Sequence, residues 1–139
     1  MKKIKIPANY KPTNDEPFMN PVQQEYFRRK LMIWREDLLQ ESSATLQHLQ
    51  EESSNAPDIA DRASMEAERS VELRTRDRAR KLINKIDEAL SRLDDGSYGY
   101  CIETEEPIGI GRLDARPIAT LSLEAQERHE RMERTYRDD

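Results

Sequence analysis

Two stretches of the chain place apolar side chains at helical spacing. In the first, Phe27, Leu31, Trp34 and Leu38 recur every three or four residues, and Leu39, Leu46 and Leu49 continue the spacing with a drift in phase. In the second, Thr75, Ala79, Leu82, Ile86, Ala89 and Leu93 step by four and three in heptad fashion, with Ile83 and Leu90 widening the stripe. Asn20 before Pro21 offers an N-cap followed by proline at the first helical position, and no glycine or proline follows until Pro57. The pattern predicts two long antiparallel helices, the first of roughly 30 residues and about 45 to 50 Å. They are joined by a short acidic turn at residues 55–63.

After Leu93 the run Asp94-Asp95-Gly96-Ser97-Tyr98-Gly99-Tyr100 marks a helix stop and turn. Residues 98–102 and 107–112 then read as two short strands paired around Glu105-Glu106, with Ile108 and Ile110 alternating between glycines. Ser122 opens a last, largely polar helix reaching to about residue 136. The expected architecture is mainly α. An N-terminal arm over residues 1–19 carries Pro7, Pro12 and Pro17 and packs on or near the globular end. A coiled-coil hairpin covers 20–95, a small globular end with a degenerate zinc-ribbon-like β-hairpin covers 96–121, and a C-terminal helix covers 122–139.

Composition supports an elongated fold, since 35% apolar against 37% charged residues is too little core for a compact globule but enough for a narrow seam. With 28 acidic and 23 basic residues the chain lacks the charge of a general nucleic-acid binder, so direct sequence-specific DNA binding is not expected. Apolar runs such as Leu31-Met32-Ile33-Trp34 are far shorter than a membrane span, and no signal-peptide core follows Met1-Lys2-Lys3. A cytoplasmic protein is expected, and one cysteine excludes an internal disulfide.

Cys101 and Thr104, followed after 17 intervening residues by Ser122 and Ala125, have the spacing of a zinc ribbon. Structural zinc needs four thiolate or imidazole ligands, so no zinc is expected, and packing of Tyr98, Tyr100, Ile108, Ile110 and Leu121 must close the loop instead. Cys101 reads as a small, part-buried hydrophobe, with a redox sensor as the alternative, and nothing nearby convincingly depresses its pKa. Asp58 and Asp61 suit the N-cap and first turn of the second helix. Arg74, Arg76, Arg78, Arg80, Lys81 and Lys85 form a basic run that serves either as a solvated face or as a seat for phosphate or an acidic partner. His48 and His129 are isolated, and no nucleophile and base pair up, so the chain is not read as an enzyme.

The strings Asp58-Ile59-Ala60-Asp61-Arg62-Ala63 and Glu72-Leu73-Arg74-Thr75-Arg76-Asp77-Arg78-Ala79-Arg80-Lys81-Leu82-Ile83 closely resemble the DksA/TraR family of bacterial transcription factors. So do Tyr98-Gly99-Tyr100-Cys101 and Ile108-Gly109-Ile110-Gly111-Arg112-Leu113-Asp114-Ala115-Arg116-Pro117, and the resemblance runs from about residue 20 to 125. It implies a monomer that binds RNA polymerase through the secondary channel and destabilises promoter open complexes together with ppGpp. It assigns Asp58, Asp61 and Ala63 to the coiled-coil tip, and Arg78, Leu82, Lys85 and Arg116 to ppGpp contact. Gln126 stands at a further position of that site where the family has a basic residue, and the lost cysteines point to a zinc-independent branch. A transcript-cleavage-type factor and a passive coiled-coil adaptor are the competing readings of the same architecture.

Overall fold

The computed structural model describes residues 4–53 and 59–138. In chain order these form α1 Pro21–Ser53, α2 Ile59–Asp95, α3 Ile110–Ala115 and α4 Leu123–Asp138, with no β-strand among the described residues. The fold is mainly α, as the apolar spacing predicts. Asn20 Oδ1 accepts the Gln23 N–H at 2.9 Å, satisfying one amide that the first turn leaves without a helical partner. Gln23 is fully buried, yet its Oε1 accepts the Met19 N–H at 2.8 Å and its Nε2 donates to the Thr13 carbonyl at 3.2 Å.

The chain divides into two compact units, one of Met32–Asp87 and one of Met1–Leu31 with Glu88–Asp139. In the first, Arg35 donates to Asp87 at 2.7 Å, His48 meets Glu72 at 3.1 Å and Arg69 donates to the Leu49 carbonyl at 3.3 Å, a pairing order that makes α1 and α2 antiparallel. Leu38, Leu49, Ala79 and Ile86 form the buried seam. The seam is shorter than the apolar spacing implies. Thr75 is exposed and its hydroxyl donates back to the Val71 carbonyl at 3.0 Å, and Leu39 and Leu46 each stay 36% exposed. Two helices cover only one stripe of each other, so the phase drift along α1 turns these leucines outward.

The second unit holds the larger core, with Phe27, Leu31, Ala89, Leu93, Tyr98, Leu113 and Ala125 all buried. Edge-on aromatic contacts bind the arm to it: Phe18 meets Tyr100 with ring centres 5.3 Å apart, and Tyr10 meets Tyr26 at 6.0 Å. α2 stops at Gly96, whose φ of +85° suits the left-handed exit from a helix.

The predicted β-hairpin is corrected to a single antiparallel bridge between Tyr100 and Pro107, framed by Cys101 N–H to the Glu106 carbonyl and Ile108 N–H to the Gly99 carbonyl, both 2.8 Å. Pro107 has no N–H to extend a ladder, and Gly109 at φ +104° turns the chain out of strand direction. Ile110 and Leu113 then bury themselves together at helical spacing, which is why residues 110–115 form α3 in place of a strand.

Gly99 combines a φ of +90° with a close approach of the arm: a Cβ there would lie 3.2 Å from side-chain atoms of both Phe18 and Met19. Gly99→Ala should therefore cost about 1 to 3 kcal/mol of stability, from backbone strain plus contact, measured by chemical denaturation. An unchanged midpoint would show that the arm yields freely.

Candidate functional site

Asp58 lies outside the described residues. Asp61 falls in the first turn of α2, and Ala63, two residues on, is exposed. Arg78, Leu82 and Lys85 share one face of α2, because spacings of four and three return to the same side of a helix. Arg78 and Lys85 are exposed and Leu82 is half-buried. Among the described residues neither cation has an ion pair or side-chain hydrogen bond, whereas nearby Arg80 lies 3.7 Å from Asp77 and Arg74 donates to the Ser70 carbonyl at 3.3 Å.

Arg116 and Gln126 belong to the other compact unit. Arg116 caps the C-terminal end of α3: its N–H donates to the Arg112 carbonyl at 2.8 Å and its carbonyl accepts the Ala119 N–H at 3.0 Å, while its side chain is exposed and, among the described residues, unpaired. Gln126, on α4, is half-buried, and its amide donates to Glu130 at 3.4 Å. Just before Arg116, Asp114 Oδ1 accepts 2.7 Å hydrogen bonds from both Tyr26 and Lys30 of α1. These contacts link residues more than 80 positions apart, so no local pattern in the chain announces them.

The four ribbon positions converge only in part. Cys101 is 1% exposed; its N–H donates to the Glu106 carbonyl at 2.8 Å and its carbonyl accepts the Glu105 N–H at 2.9 Å. Ser122 Oγ accepts the Ala125 N–H at 3.2 Å as the cap of α4, Thr104 Oγ1 accepts the Glu106 N–H at 3.3 Å, and Ala125 presents a buried methyl. One thiol, two engaged hydroxyls and a methyl do not make a zinc site, and no group of three His, Cys, Asp or Glu residues suited to a metal occurs among the described residues. His129 of α4 contacts Glu103 of the same loop.

The expectation that nothing lowers the Cys101 pKa is overturned. Burial pushes the thiol up, but the Thr104 hydroxyl and the backbone groups of Ser122, Thr104 and Glu103 outweigh it and hold the group at about 6 instead of its ordinary 9.0. A folded-state pKa below the unfolded one means that stability from this group rises between pH 6 and 9 and is lost as pH falls through about 6. Thiolate absorbance should accordingly titrate near pH 6, and Cys101→Ala should flatten the rise in denaturation midpoint over that window. Titration near 9 would contradict the lowered pKa.

Two families match in tandem: the DnaK suppressor protein DksA, N-terminal domain, over residues 23–93, and the prokaryotic dksA/traR C4-type zinc finger over residues 96–131. The chain is 64% identical over 132 residues to the RNA polymerase-binding transcription factor DksA of Caulobacter vibrioides, covering 95% of this chain and 93% of that one. It is 45% identical over 117 residues to the protein of the same name from Escherichia coli, covering 84% and 78%. It is also similar to the solved structure of transcription factor DksA2 from Pseudomonas aeruginosa, with a TM-score of 0.80 and 44% identity over 86% of this chain and 95% of that one. These relatives are named as transcription factors, not as enzymes. Shared sequence across both units and a shared fold make the conclusion direct: the chain belongs to the DksA family.

Proposed function

We propose that this protein is a cytoplasmic, monomeric regulator that binds bacterial RNA polymerase through its secondary channel and shortens the life of promoter open complexes together with ppGpp. The observation that carries the reading is 64% identity, across 95% of the chain, to a relative named for binding RNA polymerase. Two features of the residues support its details. Arg78, Lys85 and Arg116 keep their charges unpaired, which suits charge-assisted bonds to phosphate oxygens. Net charge of -5 disfavours direct binding to DNA, so specificity comes from the intrinsic stability of each open complex.

In this reading Asp58, Asp61 and Ala63 act at the polymerase active centre without doing chemistry themselves. Carboxylates bias a mobile element or the local field, and the small Ala63 permits close approach. The resemblance assigns ppGpp contact to Arg78, Leu82, Lys85 and Arg116, and Gln126 brings no charge to a position where it implies a basic residue. The protein works without zinc, so its activity persists when metal is scarce.

Asp58→Asn with Asp61→Asn is expected to leave polymerase binding within about twofold, since surface charges contribute little to a large interface, yet to abolish inhibition of a ribosomal-RNA promoter in vitro. Full inhibition by the double variant would sink the tip role. Arg78→Ala or Lys85→Ala should weaken ppGpp synergy by about tenfold to a hundredfold, from loss of a charge-assisted bond of about 1.5 to 3 kcal/mol, with basal binding retained. Open-complex lifetimes measured across a ppGpp titration decide this, and identical curves for variants and wild type would refute it.

A further inference from the structure

The corner that carries Arg116 is tied down on every side except at the guanidinium. Lys30 Nζ donates at 2.7 Å to the Asp114 carboxylate and, at the same distance, to the Asp114 backbone carbonyl, so one ammonium fixes both the side chain and the main chain two residues before Arg116. Tyr26 adds its hydroxyl to the same carboxylate oxygen at 2.7 Å, and the Lys30 ammonium sits 5.8 Å from the Tyr26 ring centre. On the other side Tyr98 donates to the Pro117 carbonyl at 2.8 Å, and Arg112 Nε donates to the Leu121 carbonyl at 3.0 Å. Lys30 and Asp114 hold each other's charge, and Arg116 is left with none opposite it.

Stability is a poor reason for this arrangement. Lys30 and Asp114 are 37% and 43% exposed, and ion pairs at such exposure contribute little to folding. What they do contribute is geometry: Tyr26 and Lys30 lie on the same face of α1, four residues apart, and together they fasten the end of α3 to it. The low Asp114 pKa, set first by Lys30 and then by Tyr26, keeps the acceptor ionised.

We propose that Lys30, supported by Tyr26, is a positioning residue for the anionic effector: by clamping Asp114 it holds the Arg116 corner so that the guanidinium faces the effector's phosphates without reorganisation. The inference rests on the reading that Arg116 contacts ppGpp. Lys30 touches no phosphate itself and acts through Asp114. A preformed cation saves the ordering that a mobile arginine would require on binding.

The test compares wild type, Lys30→Met and Lys30→Arg in open-complex lifetimes on a ribosomal-RNA promoter across a ppGpp titration, with amide exchange at Arg116 followed in the free protein. Without ppGpp all three should agree within about twofold, while Lys30→Met should raise the half-maximal ppGpp concentration about five- to tenfold and speed Arg116 exchange. Lys30→Arg, which keeps the charge and two-sided donation, should restore both. A ppGpp curve unmoved by Lys30→Met, or an equal loss with and without ppGpp, would overturn the positioning role. A wild type that ignores ppGpp at every concentration would instead sink the effector reading, and the inference with it.

Discussion

The fold of the smaller elements depends on how the loop at Cys101 is closed by packing and backbone hydrogen bonds. The loop that begins at Gly96 and returns at Ala125 belongs to a family built around a C4 zinc finger, and a metal there supplies both closure and charge neutralisation. Here one buried thiol stands with two hydroxyls that accept backbone N–H groups of their own loop and helix, and the fourth position holds a methyl in the core. Burial of Tyr98, Ile108, Ile110 and Leu113 does the closing, with the backbone bonds around Cys101. The Ser122 cap then starts α4 from the same point, and Ile102 bonds the Thr120 carbonyl alongside, so the return of the chain is fixed by local bonds at each step.

The charged side chains fall into two groups, paired and unpaired. The cations that pair, such as Lys30 with Asp114 and Arg35 with Asp87, hold elements together. Arg78, Lys85 and Arg116 remain exposed and unpaired, so folding makes no use of them and their interaction energy stays available to a partner. A chain with net charge -5 can keep such a positive set without drifting toward general nucleic-acid binding.

Helix boundaries were legible because their causes are local. Asn20-Pro21 caps α1, Gly96 ends α2 and Ser122 caps α4, and each acts within three or four residues of itself. The heptad pattern was legible in its phase but not in its extent, since whether Thr75 or Leu39 is covered depends on the facing helix. The β-hairpin was misread for a similar reason: alternation of Ile108 and Ile110 looks like a strand, but the burial of Leu113 selects the helical period. The clamp at Asp114 arises from residues brought together by the whole unit. Resemblance could name Arg116 as important, and only the structure shows what holds it.

Metal content tests the central claim about Cys101 most directly. Native mass spectrometry of protein produced in zinc-supplemented medium, paired with thermal unfolding before and after chelator, reads both occupancy and dependence. A metal-free mass with an unchanged unfolding temperature is the predicted result. One zinc per chain, or a drop in unfolding temperature on chelation, would contradict closure by hydrogen bonds and packing.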